Sequence, residues 1–242
     1  MAENQVKTAT TQSTDVIERA KGFWAKYNKP VIIGGSVVIL LVGAYLGYKY
    51  LYKLPNENKA SELIFPAEKL FGKMATTSSY NKDTMNLVLN GGNLEGTAVT
   101  GLLKIISTYS GTPAGNRARY MVGACYLQLK EFDKAIKQLK EFDGNDANQV
   151  QGKCYILLGH AYAELKKTEE ALSYYKKAAA TDTKDEGMCV EALFIAGRYA
   201  EAIGKTKEAI ELFQKLKDDY PASQKVQSGE IDKYLGRLGI TQ

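Results

Sequence analysis

Residues 118–142 read ARYMVGACYLQLKEFDKAIKQLKEF, residues 153–178 read KCYILLGHAYAELKKTEEALSYYKKA, and residues 190–216 read VEALFIAGRYAEAIGKTKEAIELFQKL. The three stretches align on Gly123, Gly159 and Gly197, separated by 36 and 38 residues. Twelve residues after each glycine stands an alanine (Ala135, Ala171, Ala209), and four further on a bulky residue (Leu139, Tyr175, Phe213). Tyr126 and Tyr162 follow the first two glycines by three residues. Self-similarity at such a period marks a repeat architecture. Within each unit apolar residues recur at helical spacing, so each unit predicts two helices with one buried face apiece. The glycine lets the second helix approach the first closely, and the alanine does the same from the other side. A single pair cannot bury its apolar face alone, so successive pairs must stack. Thr168 and Thr206 stand where the second helices of the later units begin and are expected to cap them. Gly204 is expected to take the left-handed conformation that ends the helix before it.

This pattern resembles the tetratricopeptide repeat, with its small residues near positions 8 and 20 and an aromatic near 24. The resemblance covers about residues 116–221. It departs from the family at position 4, where Arg119, Tyr155 and Leu193 replace tryptophan, and at Ala200, where an aromatic is usual. Residues 97–110 (TAVTGLLKIISTYS) read as a second-helix half unit that Pro113 closes, and the polar stretch after Pro221 reads as a capping helix. Upstream, Ala60, Leu63, Ile64, Ala67, Leu70, Phe71 and Met74 form an apolar stripe on a helix expected to kink at Pro66 and to pack on the first repeats or link them to the span. Residues 75–96, rich in Ser, Thr, Asn and Gly, read as a loop with one short helix.

From Val31 to Tyr48 there is no charged residue. Roughly 20 apolar residues cross a hydrocarbon core of about 30 Å as a helix. Tyr45, Tyr48, Tyr50 and Tyr52 crowd one end, and Trp24 and Tyr27 precede the other, as in aromatic belts. The long charged lead and the missing small-residue cleavage site argue for a retained anchor and against a cleaved signal peptide. Arg19, Lys21, Lys26 and Lys29 precede the span, against Lys49, Lys53 and Lys59 at or after it. This small excess places the N-terminal tail in the cytoplasm and the large domain across the membrane. Residues 1–14 are polar and unpatterned, so they are expected to be disordered. Residues 15–27 have the spacing of a short interfacial helix. Gly43-x-x-x-Gly47 is either a helix-packing face or a pair of glycines tolerated in lipid.

The residues offer little catalytic chemistry. His160 is the only histidine, which argues against a His-based metal cluster or triad. Cys125, Cys154 and Cys189 form no C-x-x-C pair and read as small buried hydrophobes, with one disulfide plus a free thiol as the alternative. GGNLEG (residues 91–96) lacks the Gly-Lys-Ser/Thr ending of a phosphate loop. The formal charge of +5 is split as +3 over residues 1–52 and +2 over the rest. The soluble part therefore has no charge excess suited to nucleic acid. No enzyme activity, cofactor or metal is expected.

What remains is protein binding. In a tetratricopeptide array the inner surface is lined by first-helix positions 2, 5, 9 and 12. These map onto Arg117, Tyr120, Ala124 and Leu127, then Lys153, Ile156, His160 and Ala163, then Glu191, Phe194, Arg198 and Glu201. Tyr120, Ala124, Leu127, Ile156, His160, Phe194 and Arg198 are the candidate peptide groove. Tyr120 and Ala124 stand where a terminal-carboxylate clamp needs Lys and Asn, which excludes that ligand. The mixed lining suits an amphipathic helix or an extended peptide. Alternatively, residues 57–74 of the chain itself cover part of the groove.

The architecture as a whole, with YSGTPAGNRARYMVGACYLQLKEFDKAI at residues 109–136, resembles the YfgM-like ancillary subunits of the bacterial SecYEG translocon, in the form found in Bacteroidota. The resemblance implies an inner-membrane, single-pass protein with periplasmic repeats. Its implied partners are Sec translocon components, a periplasmic chaperone and secreted clients. A scaffold for another cell-envelope complex is the alternative. The expected fold is all-α: one N-terminal transmembrane helix followed by a tetratricopeptide hairpin solenoid. The expected segments are a tail (1–29), a span (30–52), a linker with a kinked amphipathic helix and loop (53–96), and a repeat domain (97–242). The last divides into a half repeat (97–115), repeats 116–151, 152–189 and 190–221, and a cap (222–242).

Overall fold

The computed structural model describes residues 2–240 apart from Ser78, Asp146 and Thr183, and the side chains from Glu18 onward. It divides into two compact units, Met1–Asn56 and Glu57–Gln242.

In the first unit α1 (Ala2–Gly47) runs through Pro30 without interruption. α1 takes in residues 2–14, where a disordered start is expected, and the side chains of that stretch lie outside the described residues. A wider turn of π-helix follows at Tyr48–Lys53, where Leu54 N–H bonds Lys49 O at i→i+5 spacing. The most apolar 18 residues have a mean hydropathy of 2.1, and none of that window is buried by protein. Ile39, Leu40 and Leu41 are exposed. A helix this long and apolar is suited to cross a bilayer, where its backbone groups satisfy one another.

The second unit is a run of stacked helical hairpins. α5 (Pro113–Gln128) and α6 (Phe132–Lys140) form the first pair, α7 (Asn148–Glu164) and α8 (Thr168–Thr181) the second, and α9 (Glu186–Ala202) and α10 (Thr206–Asp219) the third. α5 touches α7 and α7 touches α9, so first helices stand beside first helices as in a solenoid. The small-residue spacing sets the approach within each pair. A Cβ added at Gly123 would lie 2.5 Å from Leu139 Cγ, and one at Gly197 2.7 Å from Phe213 Cε1. At Gly159 it would strike the ring of Tyr175. Ala135, Ala171 and Ala209 are fully buried opposite. Phe213 is also fully buried, which contributes about 1.5–3 kcal/mol.

The turn inside each pair is also repeated. The residue seven after each glycine has positive φ: Lys130 (61°), Lys166 (58°) and Gly204 (77°). Gly204 fits this geometry without a side-chain clash, as expected. The expected threonine caps are not formed. Thr168 and Thr206 are the first helical residues of α8 and α10, the cap positions fall on Lys167 and Lys205, and no side chain caps either end. The tight turn advances the helix start by one residue, and Lys167 N–H instead bonds Tyr162 O.

The N-terminal part differs from the expected linker. α2 (Leu54–Thr77) continues through Pro66, α3 (Lys82–Asn90) follows, and β1 (Gly91–Leu94) pairs antiparallel with β2 (Thr97–Thr100) before α4 (Leu102–Tyr109). The short helix expected within residues 75–96 is α3, whereas the hairpin was not expected: β1 replaces the end of that loop and β2 the start of the half-unit helix read over residues 97–110. The apolar stripe of residues 57–74 packs on the first repeat, the first of the two roles read for it. Ala60, Ile64, Ala67 and Met74 of α2 share one buried cluster with Val88, Leu102, Ile105, Ala118 and Val122. Burying that apolar stripe fixes α2 against the first repeat. Pro113 opens α5 instead of closing a unit: Thr112 caps the helix by accepting from Gly115 N–H (3.1 Å), and a proline fits the first turn, where no N–H is needed. At the far end α11 (Gln224–Gln227) and α12 (Glu230–Arg237) replace the single expected cap helix. Gly229 separates them, at φ 71°.

Candidate functional site

Two apolar clusters make the second unit's main core, one centred on α2–α5 and one on α6–α12. Tyr120 and Tyr126 pack against both. A cleft of about 490 Å³ opens at this seam. Phe71 and Gly72 of α2 form one wall, Tyr120 and Met121 of α5 its floor, and Phe142, Ala147 and Val150 the other wall. Tyr120 and Phe142 pack with ring centroids 5.5 Å apart at 51°. Burial pushes the Tyr120 phenol up to about 12, with Cys154 and Tyr80 adding to it, so the ring stays neutral.

Polar groups hold the rim. Arg117 Nε donates to Glu68 Oε1 (2.8 Å), joining α5 to α2. Asn116 clasps the α6–α7 loop: its Nδ2 donates to Asp143 O (2.5 Å) and its Oδ1 accepts from Asp143 N–H (3.0 Å). Gly144 N–H donates to Gln151 Oε1 (2.7 Å). The rim is therefore preorganised, which lowers the ordering cost of binding. An apolar trough with a few fixed polar groups is suited to holding one or two large apolar side chains of a peptide segment.

The residues read from the sequence as one groove do not form one surface. Tyr120 lines the cleft. Ala124 and Ile156 are buried in helix packing, and Leu127 is half-buried against the repeat core. His160 is half-buried, and its Nδ1 pairs with Tyr175 Oη at 2.8 Å. Burial lowers the His160 pKa against the opposing pull of Glu164 and Glu191. Phe194 is buried beneath the chain's own C-terminus, with Tyr234 edge-on at 5.4 Å and Lys225 Nζ 3.7 Å over its ring. Arg198 is exposed, 5.7 Å from that ring. Treating Phe194 as open groove is thus corrected by the cap, which occupies the third repeat's inner face. Residues 57–74 do not cover the groove's length, and Glu68 and Phe71 form a wall at its first repeat. Phe142 and Val150 were missed. Their only sequence signal was an apolar residue at the start of the loop between the helices and another in the first turn of α7.

All three cysteines are free and buried. Cys154 Sγ–H donates to Leu139 O, and Cys189 Sγ–H to Asp182 O. Burial pushes the Cys125 and Cys154 thiols up to about 12. Among the described residues no group of His, Cys, Asp and Glu is arranged to hold a metal.

The fold is a helical-hairpin solenoid of the tetratricopeptide-like kind. Residues 156–223 match the family model described as "Tetratricopeptide repeat", and residues 104–178 match "Anaphase-promoting complex, cyclosome, subunit 3". No catalytic family is indicated by these matches. A "TPR repeat-containing protein" of Methanocaldococcus jannaschii is 28% identical over 97 residues, 39% of this chain. The matched region is 30% of that protein's length. Among solved structures, MamA is similar at 16% identity and a TM-score of 0.47 over 74% of this chain and 87% of its own. A Podospora anserina chain of nearly identical TPR-like repeats is similar at 12% identity and a TM-score of 0.49, over 74% of this chain and 93% of its own.

Proposed function

We propose that this protein is a membrane-anchored repeat scaffold that holds polypeptide segments beside the inner membrane, as an ancillary factor of the Sec translocon. Its N-terminus lies in the cytoplasm and its repeats in the periplasm, where they assist secreted chains together with a periplasmic chaperone. The cleft between Phe71, Tyr120, Phe142 and Val150 carries the reading, because it combines an apolar trough with a rim held by fixed polar groups. An emerging secreted chain presents apolar side chains before it folds, and a tethered trough captures them at high effective concentration. The basic residues before the span support the orientation. The three cysteines are buried, and burial shields them from oxidants in an oxidising compartment.

The test is cross-linking in intact membranes, followed by purification of the full chain and identification of its partners. Translocon subunits and secreted precursors are expected. Recovery of cell-wall or outer-membrane assembly proteins without translocon subunits contradicts the reading and supports a scaffold for another envelope complex.

A further inference from the structure

Among the described residues of the second unit, two large hydrophobic side chains are exposed, Phe65 at 64% and Leu94 at 40%. They line the same shallow groove, which runs between α2 and the β1–β2 hairpin with a volume of about 320 Å³. The remainder of that unit buries or half-buries its large apolar side chains, so the pairing of these two is not scattered surface hydrophobicity. Lys69 and Lys73 follow Phe65 by one and two helical turns and line the groove with it. Neither lysine has an ion-pair partner among the described residues, as is also true of about half the basic residues on the repeat helices. The groove carries one acid, Glu95 at the hairpin turn. Two displayed apolar groups flanked by unpaired lysines are the composition that settles at a bilayer interface, with rings among the upper acyl chains and ammonium groups on the phosphates.

The covalent connection favours a lipid partner over a diffusing one. Phe65 follows Tyr52, the last aromatic of the apolar helix, by 13 residues. Even fully extended, that stretch spans at most about 45 Å. A contact too weak to hold a free protein on a membrane is adequate under such a tether, because the local concentration of the surface is high.

We propose that the Phe65–Leu94 groove with Lys69 and Lys73 is a docking surface for acidic phospholipids, which holds the repeat unit against the bilayer that anchors it. This rests on the reading of α1 as a membrane span. Docking would keep the repeat cleft beside the membrane, where emerging chains appear.

Trp24 is the sole tryptophan, which gives a clean probe. Full-length protein carrying Trp24→Phe and Phe65→Trp is reconstituted in phosphatidylcholine vesicles with or without phosphatidylglycerol, some bearing brominated acyl chains. With phosphatidylglycerol present, the tryptophan introduced at position 65 is expected to show blue-shifted emission and loss of intensity to the bromines. Lys69→Gln with Lys73→Gln is expected to abolish both effects. An unquenched, water-like emission from protein that still floats with the vesicles after alkaline washing overturns the inference and leaves the anchor intact. Protein that fails to float overturns both. Quenching that is equal without phosphatidylglycerol overturns the assignment to acidic lipid. A blue shift that depends on protein density and not on bromine shows that a second copy covers the patch, and overturns it too.

Discussion

Gly159→Ala isolates the close approach on which the repeat fold depends. The added methyl would overlap the ring of Tyr175, which is 2% exposed. That ring has no room to swing: its Oη is held by His160 Nδ1 at 2.8 Å, and Tyr199 packs edge-on at 5.3 Å. Overpacking of a filled core costs about 1–3 kcal/mol. Displacing the ring also breaks the His160 hydrogen bond, about 1 kcal/mol. Replacing glycine within a helix returns about 1 kcal/mol. The net expectation is a loss of about 2 kcal/mol. Urea unfolding of the full chain in detergent, followed by far-ultraviolet circular dichroism, measures it, and hydrogen exchange locates it in α7 and α8. Pairing Gly159→Ala with Tyr175→Ala should cost less than the two substitutions added, because the second removes the obstacle to the first. Unchanged or raised stability in Gly159→Ala, or strict additivity in the pair, would refute the packing argument.

Gly236→Ala is a control of opposite sign. Nothing lies within 4 Å of the added Cβ and the backbone is helical, so urea unfolding should show a gain of about 0.5–1 kcal/mol. The buried His160 predicts acid sensitivity. Its pKa is lowered by burial in the folded protein, so the unfolded chain binds the proton first and stability falls as the pH drops below the ordinary histidine value. His160→Gln should flatten the pH dependence of the urea midpoint between about pH 7 and pH 5, and an unaltered slope would assign the dependence to other groups. For orientation, Lys233→Cys places a thiol on an exposed surface while the native cysteines stay buried. In spheroplasts with an intact inner membrane a membrane-impermeant thiol reagent should label it, and labelling only after that membrane is broken would reverse the proposed topology.

The three hairpins were legible because close packing leaves a periodic mark: Gly123, Gly159 and Gly197 stand at the contacts with Leu139, Tyr175 and Phe213 that the spacing implied. The β1–β2 hairpin was not legible. Its strands are four residues long, and its turn places Glu95 and Gly96 at φ 51° and 82°. A turn with two positive φ values usually announces itself by Asn-Gly or Asp-Gly, and Glu-Gly carries no such signal. The apolar stripe of α2 was visible and implied packing on the first repeats, but its partners Leu102, Ile105 and Val122 lie far along the chain, and no local pattern names them. Tyr120 was found because repeat position fixes its direction. Phe194 was misjudged because the same rule ignores the cap, which brings Tyr234 and Lys225 onto that ring. The cleft itself joins side chains from α2, α5, the α6–α7 loop and the start of α7, and no periodicity links those four.

Photo-crosslinking from the cleft tests the central claim most directly. A benzophenone amino acid is placed at Val150, on the cleft wall, and separately at Lys207, on an exposed face of α10. Both full-length variants are irradiated in intact membranes during secretion. The account predicts adducts to secreted precursors from position 150, lost when Tyr120→Ala is added, and none from position 207. Equal adducts from both positions, or adducts from position 150 that persist without the Tyr120 ring, would contradict a binding cleft at the first repeat.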